Sequence, residues 1–172
     1  TFAGTIATIE GSEINVSYER SSIDQDKPGA QDVAIGELSF LAASDYDILK
    51  LDITVTSTAS SASGVLQILE SLELDGRTAD SQSTSVLSAT GVTYTFEDIS
   101  LKSGEELTLD IIGEIVDEVA LNGQALQFDI KIKEVEDVDN DEKYTGVAVD
   151  TIVSTNSFKS KTVDIESASY KL

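Results

Sequence analysis

Asp137, Asp139 and Asp141 alternate within EVEDVDNDEKYTG, residues 134 to 146, a spacing at which carboxylates open calcium loops. Hard oxygen ligands suit Ca²⁺, so these three residues form a candidate metal site, and calcium is the one cofactor the sequence suggests. The match to an EF-hand stops there. Glu142 holds the sixth place, where the sharp turn needs Gly, and Ala148 holds the twelfth, where a bidentate Glu belongs. The segment therefore reads either as an irregular calcium site or as an acidic hairpin tip with solvated charges. Two further carboxylate pairs, Glu97 with Asp98 and Glu105 with Glu106, have the residue types of an acid and base in glycoside hydrolysis. They fall at expected strand ends and turns, where solvated acids are ordinary, and the chain has no Trp to serve as a sugar platform. Lys131, Lys133 and Asn156 have the residue types of a Lys–Asn isopeptide crosslink, with plain surface charge as the simpler reading.

The missing residues narrow the chemistry further. With no His and no Cys, the chain lacks an imidazole or thiolate nucleophile, a Ser/His/Asp triad, and the usual ligands of zinc, haem and iron–sulfur clusters. What remains is carboxylate and lysine chemistry and oxygen-only metal sites, and the expectation is a protein that is not an enzyme. The absence of Cys and Met suits an oxidising, extracellular setting.

Charge bears on partners. The 32 Asp and Glu against 11 Lys and Arg give a formal net charge of −21. Such a field repels phosphate backbones and anionic headgroups, which argues against nucleic acid and peripheral membrane partners and favours cations, or else simply keeps the protein soluble. No apolar run approaches the roughly 18 to 20 residues of a membrane-spanning helix, so no membrane insertion of the mature chain is expected. The chain starts at Thr1, without Met, and alternates from its first residues. We read it as a mature chain at the cell surface or outside the cell, after removal of a signal peptide.

The elements that must position these residues are strands. Of the 172 residues, 40% are apolar and a single one is proline, which fits one folded domain with one core. Period-two alternation recurs along the chain. It marks residues 13–18 (EINVSY), 33–43 (VAIGELSFLAA, central, with a bulge near Gly36) and the run DILKLDITVTST. It recurs at residues 92–96, at Leu107, Leu109 and Ile111, and in QALQFDIKIKEVE. Residues 21–29 and 78–85 read as polar loops, and Asp75-Gly76, Ser103-Gly104 and Asn122-Gly123 as turns. Residues 65–74 carry leucines at helical spacing, yet end in a hairpin signal and read as a strand in their second half. Residues 144–153 and 158–166 read as two closing strands. The sum is an all-β fold, a single β-sandwich of jelly-roll or immunoglobulin-like type with Greek-key connections and about nine or ten strands.

The N-terminal strand stands apart from this domain. In TFAGTIATI, Phe2, Gly4 and Ile6 share one face, and Ile9 closes the segment. Residues 1–12 can therefore act as a donor strand for another subunit, with residues 13–172 as the sandwich that receives it, or fold back as the first strand of their own sandwich.

The order of segments resembles the β-sandwich repeats of bacterial cell-surface and surface-layer-type proteins. Three stretches carry the resemblance: PGAQDVAIGELSFLAA with YDILKLDITVT, then YTFEDISLKSGEELTLDI, then FDIKIKEVE. A looser similarity is to TasA-type biofilm-matrix fibre subunits, which also open with a short strand ahead of a sandwich. That resemblance implies head-to-tail assembly by donor-strand exchange. Two functions follow as expectations. The first is an extracellular structural subunit or module of a filament, surface layer or matrix, whose partner is another copy of itself. The alternative is a monomeric adhesive or carbohydrate-binding module for cell-surface glycans, with calcium as a possible requirement. Five Tyr and five Phe are a thin supply of rings for the latter.

Overall fold

A computed structural model of the chain describes residues 13–21, 25–26, 29–57, 62–84, 91–117 and 124–165. The strands are β1 (Ile14–Arg20), β2 (Gln25–Asp26), β3 (Val33–Ala42), β4 (Tyr46–Ser57), β5 (Leu69–Leu74), β6 (Arg77–Thr78), β7 (Ser81–Thr84) and β8 (Val92–Phe96). They continue with β9 (Ile99–Leu101), β10 (Glu106–Ile115), β11 (Ala125–Asp137), β12 (Glu142–Thr145), β13 (Val153–Ser154), β14 (Ser157–Lys159) and β15 (Val163–Ile165). Among the described residues, two short helices, α1 (Ala62–Ile68) and α2 (Val147–Ile152), interrupt them.

The strands form two sheets that pack face to face. One has the order β13-β1-β3-β10-β5-β6; the other has β2-β15-β11-β4-β8-β7, with β12 and β14 also on β11 and β9 on β4. The long strands alternate because one face of each sheet is buried and the other meets solvent. In β4, for example, Ile48, Leu51, Ile53 and Val55 are fully buried while Asp47, Asp52 and Thr54 point outward. One hydrophobic cluster runs from Ile14 to Ile165 and takes side chains from both sheets, so the fold is an all-β sandwich with a single core.

Several expected features take their expected places. β3 is internal, between β1 and β10, and its bulge lies at Ile35: Ile111 pairs with Gly36 and the next residue, Ile112, with Ala34. Asp75 and Gly76 both have positive φ, 52° and 79°, and join β5 to β6 in a two-residue hairpin. Within residues 65–74 the helix ends at Ile68 and the second half is β5.

Other segments differ from their sequence reading. Residues 144–153 are not one strand. Gly146, at φ 57°, ends β12, and α2 follows because Val149 and Ile152, three apart, both reach the core. Residues 158–166 divide into β14 and β15 at Ser160, which is 3% exposed. Its N–H donates to the Phe128 carbonyl at 2.9 Å, and its Oγ accepts the Phe128 N–H at 3.0 Å while donating to the Lys161 carbonyl. The polar stretch at residues 78–85 contains β7, an outer strand on β8, and Gln25 and Asp26 pair in parallel with β15. The described residues thus hold 15 strand segments where about nine or ten were expected of the chain, the excess being pieces of two to four residues.

Candidate functional site

The most distinctive feature of the described residues is an open sheet edge. β1 pairs with β3 along its whole length, but on its other side β13 meets it only at Ile14 and Asn15. After Ser154 the chain leaves this sheet, and β14 pairs with β11 in the opposite one. Among the described residues, no strand therefore covers the outer edge of β1 from Val16 to Arg20. The Val16 N–H points out of this edge, donating to Ser154 Oγ at 3.2 Å. By the two-residue period, the N–H groups of Tyr18 and Arg20 point the same way.

The rim of the sandwich beside this edge is aromatic. Tyr18 and Phe158, each partly buried, approach with ring centroids 5.5 Å apart across the gap between the two sheets. The Tyr18 hydroxyl donates to the Ile35 carbonyl at 3.2 Å. Burial raises the phenol above its ordinary value, against the opposing pull of Arg20. The ring lies over Gly36, where any Cβ would overlap it. Ala in place of Gly36 should push the ring off Ile35 and Phe158 and lower the unfolding free energy by about 1 to 2 kcal/mol. Urea denaturation monitored by circular dichroism measures this, and an unchanged midpoint would show that Tyr18 moves aside freely. Sequence reading missed Tyr18 and Phe158. Tyr18 continues the buried Ile14, Val16 alternation and could have been placed at the strand's inner face by that signal.

On the outer face of the same sheet, Glu19, Glu37 and Asp110 are direct cross-strand partners on β1, β3 and β10. Partial burial, then the negative charges of Asp110, Glu19 and Glu106, raise the Glu37 carboxyl above its ordinary value. A raised acid binds its proton more tightly folded than unfolded, so stability falls as pH rises from about 4 through the folded pKa. Glu37→Gln should remove this loss. The variant's melting temperature should gain on the parent's between about pH 4 and pH 7, and a constant difference across that range would contradict the assignment.

The structure separates the three candidate calcium ligands by environment. Asp137 ends β11 and is 6% exposed, while Asp139 and Asp141 are exposed in the following turn. Asp137 Oδ1 accepts the N–H groups of Asp139 at 3.1 Å and Asn140 at 3.2 Å, and Oδ2 accepts Asn140 Nδ2 at 2.8 Å. The carboxylate thus closes the β11–β12 turn, an Asx-type cap for which the Asp-x-x-Asn pattern is the sequence signal. Among the described residues, no three carboxylates converge as a metal site. The assembly residues Phe2, Gly4, Ile6 and Ile9 lie outside the described residues, as does the Asn122-Gly123 turn.

The remaining candidates are dispersed. Glu97 leaves β8 in one sheet, whereas Glu106 opens β10 in the other. Lys131 and Lys133 are exposed on β11, while Asn156 is 8% exposed and its carbonyl accepts the Ile132 N–H at 3.1 Å. The two ammonium groups face solvent and the amide faces the interior. A depression of about 380 Å³ on the outer face of the larger sheet is lined by Lys50, Asp52, Thr95, Glu97, Lys133 and Glu134, among others, and by no aromatic ring. Phe40, Phe96 and Phe128 are fully buried, so none of these three rings offers the depression a stacking platform for a sugar.

No family model and no curated protein matches the chain. Among solved structures, the chain is similar to AvmM, which catalyses macrocyclization in alchivemycin A biosynthesis, at 7% identity and TM-score 0.48, covering 94% of this chain and 93% of that one. It is similar to the Salmonella SafD adhesin at 7% identity and TM-score 0.38, covering 91% of this chain and 100% of the other. It is also similar to BslA, a bacterial hydrophobin, at 9% identity and TM-score 0.39, covering 95% and 100%. An enzyme, an adhesin and a hydrophobin are distant likenesses of different kinds, and at these scores none of them carries a function to this chain.

Proposed function

We propose that this chain is an extracellular structural protein, a non-catalytic subunit or module of a filament, surface layer or matrix that grows by β-strand addition between copies. The observation that carries the reading is the outer edge of β1 from Val16 to Arg20, which has no strand on it among the described residues. An edge of that length offers an incoming strand alternate backbone donors and acceptors, and the partly buried Tyr18 and Phe158 offer its inward side chains apolar contact. The alternating segment TFAGTIATI matches such an edge, with Phe2 and Ile6 available to face the rings. Native sheets protect open edges with charges and bulges, and β1 has only Glu19 and Arg20 at its far end. Electron microscopy and light scattering on the purified chain, over a range of concentrations and with and without calcium, test the reading. Filaments or high-mass species are expected, and a monomer under every condition would overturn it.

A further inference from the structure

One buried amide beside the open edge has no partner. Asn156 is 8% exposed, and its Nδ2 is the single buried side-chain nitrogen or oxygen among the described residues that makes no hydrogen bond. Its Oδ1 accepts the Ser157 hydroxyl at 3.1 Å, and its backbone carbonyl accepts the Ile132 N–H at 3.1 Å, which holds the residue against β11. Turning the amide over changes nothing: Ser157 Oγ would then accept from Nδ2, and Oδ1 would be the atom left over. Native interiors leave few polar atoms in this state, because nothing offsets the loss of their water.

The course of the chain shows what the amide faces. After β13 it crosses from the smaller sheet to the larger, and Asn156, Phe158 and Ser160 turn inward while Ser157 and Lys159 are exposed. Among the described residues β14 pairs with β11 alone, so Asn156 and Phe158 line a mouth between the sheets whose opposite lip is the open edge of β1. The crossing also fixes their order along that edge. Ser154 Oγ accepts the Val16 N–H at 3.2 Å, and Phe158 meets Tyr18 with ring centroids 5.5 Å apart. Asn156 lies between these two contacts, on the side of the rings nearer the start of β1.

The N-terminal segment offers a matching step. In TFAGTIATI the row of Phe2, Gly4 and Ile6 continues to Thr8, its one member with a hydroxyl. Ile6 and Thr8 are two residues apart, as are Phe158 and Asn156. We propose that the incoming segment of a second copy runs antiparallel to β1, with Ile6 against Tyr18 and Phe158 and the Thr8 hydroxyl accepting a hydrogen bond from Asn156 Nδ2. The proposal rests on the strand-addition reading and gives it a direction and a register. Parallel addition would bring Gly4, which has no side chain, to the amide, and a slip that brings Ile6 there leaves the amide unpaired. Ile6 thus supplies apolar burial, and Thr8 selects the alignment.

The test takes as receiver the full chain carrying Ile6→Asp, which keeps the edge and the amide but does not add to itself, and as donor a synthetic peptide of residues 1–12. Calorimetry should show the peptide binding, and a Thr8→Val peptide binding about tenfold or more weakly, because the amide is then sealed in without an acceptor. A receiver that also carries Asn156→Leu should lose this preference, since replacing both partners by apolar groups is nearly neutral. The peptide comparison needs no change at Asn156 and stands whether or not that variant folds. In nitrogen-15 spectra the Asn156 side-chain signals should move on binding the unaltered peptide and respond differently to the Thr8→Val peptide. A nitroxide on the peptide N terminus should broaden the amide signal of Arg20 more than that of Ile14. Equal binding of the two peptides to the receiver with Asn156 intact, or stronger broadening at Ile14, would overturn the proposal and leave strand addition standing. Binding of neither peptide would overturn both.

Discussion

Ala in place of Gly91 should lower the unfolding free energy by about 3 kcal/mol or more, a larger effect than at Gly36. Gly91 leads into β8 with φ at 112°, a region that residues with a Cβ rarely enter. A Cβ there would overlap the carbonyl oxygen of Val55. The obstacle is backbone, and backbone that cannot yield. Val55 is fully buried and its strand, β4, is held between β11 and β8, with Phe128 and Val92 as its cross-strand partners. Relief would require β8 to lift away, which would expose Val92, Tyr94 and Phe96. Urea unfolding measures the loss, and a decrease below about 1 kcal/mol would mean that the strand start can be rebuilt without Gly.

The second large effect concerns assembly. Ile6→Asp places a charge where an apolar side chain would meet the Tyr18–Phe158 rim, and burying an unpaired carboxylate is costly enough to abolish strand addition. Arg20→Pro acts on the receiving side. Its N–H points out of the open edge, so proline removes a donor offered to the incoming strand while leaving the β1–β3 ladder intact. Each variant should remain folded by circular dichroism and melt within a few degrees of the parent, and neither should form polymers visible by electron microscopy. Polymers of normal length from both variants would place the junction elsewhere.

How far the residues alone led depended on whether a strand has two different faces. β3, β4, β8, β10 and β11 each set buried apolar side chains against solvated ones, and alternation found all five. β7 has no apolar residue in SQST, so nothing local marks it; its backbone is ordered by pairing with Val92–Thr95 of β8. The same holds for β2 and β13, which are two-residue contacts with strands far away in sequence. Residues 144–153 read as a closing strand, whereas burial of Val149 with Ile152 and the turn at Gly146 makes 147–152 a helix. The open edge of β1 was out of reach for a related reason. Whether an edge is covered depends on where β13 and β14 go, more than 130 residues later in the chain. At Asp137 the acidic spacing suggested calcium, while Asn140 three residues on marked the turn in which both carboxylate oxygens are used.

The central claim, that residues 2–9 of one copy lie along β1 of another, is tested most directly by disulfide trapping, since the chain has no Cys to interfere. With Phe2 and Ile6 facing the rings, Ala3, Thr5 and Ala7 face outward, beside the exposed Ser17 on β1. Single cysteines at residues 3, 5 and 7, each combined with Ser17→Cys, sample the three registers at which two Cβ atoms come within bonding distance. The account predicts that one of these pairs, on mild oxidation, gives a ladder of crosslinked dimers, trimers and longer species on a denaturing gel. Bonds that form only within single chains, or no bonds at all, would contradict it.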